Sequence, residues 1–590
     1  MCRIAGIVSK SFSDDKENQL LLMRDAMHRG GPDDAGIYID KQFPIALAHR
    51  RLSIIDLSSA GHQPMLSNDQ QIIISFNGEI YNYIELRNEL KNLGHVFKTE
   101  TDTEVIIAGY IQWGTAVFAK LNGMFAIAIF DKNTQELILA RDHAGIKPLY
   151  ISLQENEIYF ASEIRAFKAL HHKFEEQKDW QIYFLLFGSL PEPITTLKGV
   201  KPLEKGCFMT VNLNTLKPQF TRFNEFKYTS TIHTLSEAEK LVKETLNNAV
   251  KRHLIADAPI GLFLSGGIDS SLLTILSEPH LKEQLNTLSI VFDDEKFSEK
   301  KYQDIIIEQT GAKHQSFLVS EQNFNDSLPD ILNAMDQPTT DGINSYFICK
   351  YAKEYGLTAV LSGLGADELF GGYNSFYNHK SVNFSKAIPS FALNLLNHLP
   401  KDKYKKLSFL AHKNIIGQYL FNRGFHGVNE TAKLLDTNTD EVVNCIANLE
   451  NIYHTKNLSN FNNASYLETN IYMQNQLLKD TDCMSMWHAV EVRVPFLDKE
   501  LMQLVYSIDS NIKFNAKQKK FLLVDTFKNI LPKAIWDRPK QGFTFPFENW
   551  MKNIHPLTNN KMNNYAENQF KKGNYSWSRY WAYLLTQNLN

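Results

Sequence analysis

The residues best suited to chemistry begin at the second position. Removal of Met1 would leave Cys2 carrying both a thiol and an α-amine, and an amine titrating at about pH 8 can act as base for its own thiol. A cysteine at position 2 is a weak signal alone. Its company consists of Arg51 in RLSII, the run NGEIYN at 77–82 directly after the apolar stretch IIISF, and Asp102 in TETDTEVI. A thiol attacking an amide needs donors for the tetrahedral oxyanion, which the Asn77 side chain and the Gly78 N–H at a strand end would supply. A glutamine-like substrate also needs a cation for its carboxylate and an anion for its ammonium, roles that suit Arg51 and Asp102. Taken singly, these residues read equally well as surface charges and a hairpin turn. Together they read as an amide-hydrolysing site.

A second constellation lies mid-chain, where the apolar run PIGLFL enters SGGIDSS and then a helical pattern. Ser265, Gly266 and Gly267 let backbone N–H groups approach a phosphate, the following helix offers its positive dipole end, and Asp269 is placed to hold Mg2+. The loop is not of the GxxxxGKS or GxxxxGKT kind, and a glycine-rich turn alone is also a common structural device. Another such turn, SGLGADELFGGY at 362–373, again follows an apolar strand, and the segments SMWHAVEVRVPFLD at 485–498 and RPKQGF at 538–543 come later.

These loops require elements to hold them. Short strands are predicted at 4–8, 46–55, 71–78, 124–131, 136–142, 148–152 and 157–162, with helices at 85–93 and 103–113. That mixture suggests a sheet-rich α+β unit. After a Pro- and Gly-rich stretch at 188–206, a boundary is placed near Asn212. Beyond it the order is helix (236–254), strand (259–264), helix (270–276), strand (288–292), helix (300–311) and later strand (358–363). Such alternation predicts an α/β unit with a parallel sheet and helices on both faces. Residues from about 373 to 472 read as helices with Asn-rich loops.

Composition narrows the function. At 590 residues, more than one core is expected. Net charge is −3, from 62 Lys+Arg and 65 Asp+Glu, with no basic domain to grip nucleic acid. No apolar run approaches the roughly 18 residues of a membrane span, and the first residues do not read as a secretory signal, so a cytoplasmic protein without membrane partners is expected. The 5 cysteines form no CxxC pair, which argues against a disulfide framework or a zinc site.

The first constellation resembles the class II, N-terminal-nucleophile glutamine amidotransferases over 2–211, and SGGIDSS is similar to the pyrophosphate loop of ATP pyrophosphatases. Together they resemble the glutamine-hydrolysing asparagine synthetase family over essentially the whole chain. The resemblance implies a four-layer αββα Ntn-hydrolase domain at 2–211. After it, at 212–590, comes a parallel-sheet, Rossmann-like ATP-pyrophosphatase domain with a helical insertion at about 373–472. It implies Cys2 as nucleophile, Asn77 and Gly78 as oxyanion hole, and a glutamine pocket of Arg51, Leu52, Ser53, Ile54, Ile55, Asn77, Gly78, Glu79 and Asp102. It implies ATP contacts at Leu264, Ser265, Gly266, Gly267, Asp269, Ser270, Val291, Ser362 and Gly363, magnesium on Asp269 and Asp367, and a phosphate-stabilising Lys540. The reaction implied is activation of a carboxylate by ATP as an acyl-adenylate, then attack by ammonia from glutamine to give an amide, AMP and pyrophosphate. ATP and Mg2+ are the implied cofactors, glutamine and a carboxylate the small-molecule partners, and a homodimer is compatible with the family.

One departure concerns the acceptor. Family members usually read SGEGSDE where this chain reads SGLGADE, which puts Leu364 at a glutamate tied to amide transfer, and QPTTDGINS at 337–345 lacks an arginine that asparagine synthetases carry nearby. Aspartate is the acceptor the family name implies; a sugar acid or a peptide carboxylate is the alternative that Leu364 opens. Sugar-phosphate amidotransferases would share only the first unit, and a β-lactam synthetase would lack Cys2. A retired glutamine or nucleotide sensor would be expected to lose more motifs than Leu364.

Overall fold

The strand Arg3–Ser9 sets the architecture, because Ile4 and Val8 on one face and Ala5 and Ile7 on the other are all buried. A strand covered on both faces lies between two layers. Ile4 and Val8, with Ile45 and Leu47, pack on Ile73, Ala126, Phe130, Leu137 and Leu139 of a second sheet. Ala5 and Ile7 meet Leu20 and Met23 of helix Asp14–Ala26. A computed structural model describes the chain apart from residues 1, 11–13, 41, 295–297, 399–401, 454, 456, 540–544, 553–560 and 589–590.

The first sheet is six-stranded and antiparallel, in the order Val200–Pro202, Tyr150–Leu153, Glu157–Ala161, Arg3–Ser9, Ile45–Arg51, Asp34–Asp40. The second, also six-stranded, runs Pro218–Arg222, Cys207–Asn212, Glu136–Arg141, Gly123–Asp131, Ile72–Ile80, Met65–Leu66. Helices Tyr83–Asn92 and Asp102–Trp113 cover its outer face through Leu86, Leu90 and Ile106. The result is the αββα sandwich expected.

Two boundaries differ from expectation. The sheet runs past Asn212, because Pro218–Arg222 adds an edge strand whose residues are mostly exposed and so carry no apolar alternation. The strand predicted at 46–55 stops at Arg51, where the guanidinium gathers carbonyls of the following loop and turns the chain.

The second unit is built on a five-stranded parallel sheet in the order Lys313–Leu318, Asn286–Val291, Ile260–Phe263, Ala359–Leu361, Glu491–Arg493. The chain moves outward from Ile260–Phe263 in one direction and later returns on its other side with Ala359–Leu361. Strand order therefore reverses between these two, and the crevice at their carboxyl ends is where ligands bind in open parallel sheets. Both glycine-rich loops leave from those two strands. The stretch predicted as helical is so: short helices run from Asn374–Tyr377 to Asn460–Leu467, and a π-helix, Glu468–Leu477, follows.

Candidate active site

Cys2 enters the central strand of the first sheet and is buried. Its backbone N donates to Asn77 Oδ1 at 3.2 Å across the sandwich, and its Sγ lies 3.9 Å from the Leu52 carbonyl. Burial pushes the thiol pKa up, and Arg51 works against that. A thiol so placed needs a base before it becomes a nucleophile. Asn77 thus holds the Cys2 main chain through its oxygen, while its Nδ2 points to Ser162 Oγ at 3.5 Å. Gly78 has no substitute: a Cβ there would stand 2.0 Å from the Met124 carbonyl oxygen.

Arg51 is buried, but its guanidinium is already occupied. It donates to the carbonyls of Ser58 at 2.7 Å and Asp56 at 2.5 Å, and lies 3.5 Å from that of Ile55. The structure therefore uses Arg51 to shape the loop carrying Leu52, Ser53, Ile54 and Ile55, of which Leu52 meets Cys2. Ser53 N is held by Asp33 at 2.8 Å, and the Ile54 carbonyl accepts from Asp257 N at 3.0 Å, tying the loop to the second unit. Asp102 opens its helix and accepts from Ile80 N at 3.0 Å. Burial pushes its carboxyl up to about 6; the Ile80 N–H opposes this and the charge of Glu491 adds to it.

The sandwich does not close this site alone. Arg493, fully buried on the last strand of the parallel sheet, pairs through Nη2 with Glu79 at 3.1 Å and through Nε with Glu491 at 2.6 Å. Its Nη1 donates to the carbonyls of His253 at 2.8 Å and Ile255 at 2.6 Å. Glu79 is pushed well above the usual carboxylate range by burial, against the pull of Arg493. The carbonyl of Arg493 accepts from Ser362 N at 2.8 Å, so one residue touches Glu79 of the first unit and the second glycine-rich loop. Next to Cys2, Arg3 pairs with Glu163 and, at 2.9 Å, with Asp482; Lys147 reaches the same Asp482 at 3.0 Å. Sequence reasoning missed Arg493, Glu491, Arg3 and Asp482. The available signal was AVEVRVPF, where Glu491 and Arg493 share one strand face opposite three valines.

At the switch point a cavity of about 1240 Å³ is lined by Leu264, Ser265, Gly267, Asp269, Ser270, Ser362, Gly363, Leu364 and Asp367, among others. Gly266 adopts φ +77, and Gly267 caps helix Ile268–Leu281, whose first residues line the cavity. The two loops touch, since a Cβ on Gly363 would meet Asp269 Cβ at 2.7 Å. Of the expected ATP contacts, Val291 and Gly266 are not on the lining. Leu288, Ser289 and Ile290 form that wall, and the Gly266 carbonyl instead accepts from Arg538 at 2.9 Å. Arg538 pairs with Glu299 at 2.8 Å and sits with Pro539 on the rim. Lys540, the next residue, lies outside the described residues.

Asp269 and Asp367 converge on one point. Lys520 Nζ stands there, 2.6 Å from each carboxylate. Leu364, Asp341, Asp480 and Tyr472 also line the cavity. Burial pushes Asp480 well up despite the Thr339 hydroxyl donating at 2.6 Å, and it also raises Asp341, with Arg423 opposing. Arg423 is itself spent on Glu468 at 2.9 Å and lies 3.5 Å from the ring centre of Tyr472.

The profile of the asparagine synthase family matches residues 241–585, and that of the glutamine amidotransferase domain matches residues 1–224. Glutamine-hydrolyzing asparagine synthetase 1 of Bacillus subtilis (strain 168) is 33% identical over 94% of this chain and 88% of its own length. Synthetase 3 of the same organism is 29% identical over 92% and 87%. A protein of Gibberella zeae named amidase chry2 is 26% identical over 92% and 86%.

Proposed function

The chain belongs to the asparagine synthase family and is a glutamine-hydrolysing ligase, and from that premise we propose that it amidates a carboxylate through an acyl-adenylate. Cys2, freed as an N-terminal residue, attacks the glutamine amide while its own amine takes the thiol proton. Asn77 and the Gly78 N–H receive the oxyanion, and Glu79 and Asp102 hold the substrate ammonium. Water then releases glutamate, and ammonia is the product carried forward. In the second unit the acceptor carboxylate attacks the α-phosphorus of ATP, pyrophosphate leaves, and ammonia displaces AMP from the acyl carbon. Ser265, Gly267 and the helix N-terminus behind them receive phosphate oxygens, with Ser362 and Gly363 on the nucleotide. Asp269 and Asp367 fit a divalent cation, since both carboxylates already share one cationic atom. When bound, Mg2+ offsets phosphate charge as pyrophosphate departs. Lys540 is proposed to reach the same phosphates.

The observation that carries this reading is the hydrogen bond from Cys2 N to Asn77 across the sandwich, in a chain whose second unit opens two glycine loops onto one cavity. For the acceptor, aspartate is the reading the family supports. Leu364 favours a second one: hydrocarbon stands on the cavity wall where a proton-accepting carboxylate would assist amide transfer, in a cavity that Asp341 and Asp480 also line. That wall suits a carboxylate borne on a larger molecule, such as a sugar acid or a peptide. Pyrophosphate release is the test, with glutamine, ATP and Mg2+ supplied alongside aspartate, uronic acids or peptides. Asparagine and aspartate-dependent pyrophosphate support the first reading; their absence beside activity on another carboxylate supports the second. No pyrophosphate with any carboxylate, using ammonium in place of glutamine, removes both.

A further inference from the structure

Lys520 belongs to none of the motifs that mark the nucleotide site, yet it sits at the centre of the site. Its side chain is 4% exposed, and its Nζ lies 2.6 Å from Asp269 and 2.6 Å from Asp367. The residue caps helix Phe521–Phe527 with φ +53, a left-handed conformation that a residue with a Cβ adopts at a cost. Space for it is made by Gly372, where a Cβ would come within 2.6 Å of Lys520 Cε and 1.6 Å of Asp367 Oδ1. Lys517 and Lys519 line the same cavity, so this segment brings positive charge to the place where phosphates would lie.

We propose that Lys520 is a resident counter-cation, which holds Asp269 and Asp367 together, keeps free Mg2+ off them, and passes them to the metal that arrives on ATP while turning its own ammonium to the phosphates. This rests on reading the cavity as the ATP site. Two carboxylates converging on one point repel each other unless a cation lies between them. A metal ion arriving alone must shed water and displace a buried ammonium without bringing it a new anion. A metal arriving with ATP brings phosphate oxygens that can receive that ammonium. The exchange therefore favours the metal–nucleotide complex over the free ion.

The test is Mn2+ titration of the full chain without nucleotide, read by electron paramagnetic resonance, beside calorimetric titration with ATP plus Mg2+. Lys520→Gln should bind Mn2+ about tenfold more tightly than the wild type and bind ATP·Mg about tenfold more weakly. Lys520→Arg, which keeps the charge, should retain weak Mn2+ binding. Should Lys520→Gln be unstable in metal-free buffer, the proposal requires 10 mM-scale Mg2+, about that of a routine assay, to restore its unfolding temperature. Equal Mn2+ affinity in Lys520→Gln and wild type, unchanged ATP·Mg affinity, or instability that Mg2+ does not relieve would each overturn it. Failure of the wild type to bind ATP·Mg at all would instead sink the nucleotide-site reading beneath it.

Discussion

Replacing Arg493 with methionine tests whether the two units share one electrostatic seam. The substitution removes the partners of two carboxylates, Glu79 at 3.1 Å and Glu491 at 2.6 Å, in a place where Arg493 and Glu491 have 0% exposure. Breaking a buried pair by removing one member typically costs ~3–5 kcal/mol, because the other charge stays behind in a dry site. Protonation limits the cost, and this gives the pH dependence. A buried carboxyl whose folded pKa rises above its unfolded value stabilises the fold below that unfolded value, and loses the advantage as pH rises through the folded one. Glu79 already sits well above the usual range, whereas Glu491, which burial would raise, is held below it chiefly by Arg493; loss of Arg493 would push both carboxyls up. Between pH 6 and 8 the penalty should grow by up to about 3 kcal/mol per carboxylate. Urea unfolding of wild type and Arg493→Met at both pH values measures this directly. Arg493→Lys, which keeps a cation between the two carboxylates, should recover part of the stability. Equal unfolding midpoints at pH 8, or a loss no larger at pH 8 than at pH 6, would refute the reasoning.

Gly78→Ala drives a methyl group to 2.0 Å from the Met124 carbonyl; glutamine-driven turnover should fall by about 10²-fold or more while ammonium-driven amidation survives, as product assays with each nitrogen source would reveal. Gly372→Ala crowds Asp367 at 1.6 Å, so ATP·Mg affinity measured by calorimetry should drop roughly tenfold, and glutamine hydrolysis should persist. Asp102, held up at about 6 by burial, stabilises the fold below its ordinary value near 4 and loses that contribution as pH rises through 6. Asp102→Asn should therefore flatten the change in unfolding free energy between pH 4 and 7 by about 3 kcal/mol, with KM for glutamine raised.

Much of the site was legible because its chemistry is local. The run PIGLFL followed by SGGIDSS states a buried strand, a turn needing positive φ and a helix start within a dozen or so residues, and the structure gives each of them. Cys2 and Asn77, singled out by type, meet in the structure, whereas Arg51 proved to bind its own loop. What stayed hidden depends on distance along the chain. Lys520 reads as one lysine in KQKK, and nothing local says that it reaches Asp269, 251 residues away. Arg493 and Glu79 are likewise brought together only by the packing of one unit on the other. The edge strand Pro218–Arg222 was missed because its side chains are mostly exposed, and the π-helix Glu468–Leu477 carries the same residue types as an ordinary helix.

The strand Glu491–Arg493 also sets an order of events during synthesis. The sandwich is complete once residue 222 has emerged, but the parallel sheet lacks its edge, and Glu79 its counter-charge, until residue 493 follows. At ribosomal rates this interval lasts roughly tens of seconds. Throughout it Glu79 lacks its counter-charge, and the arginine that supplies it is the same residue whose backbone anchors the second glycine loop. The buried ion pairs between the units thus become available late, Asp482 with Arg3 and Lys147 and then Arg493 with Glu79.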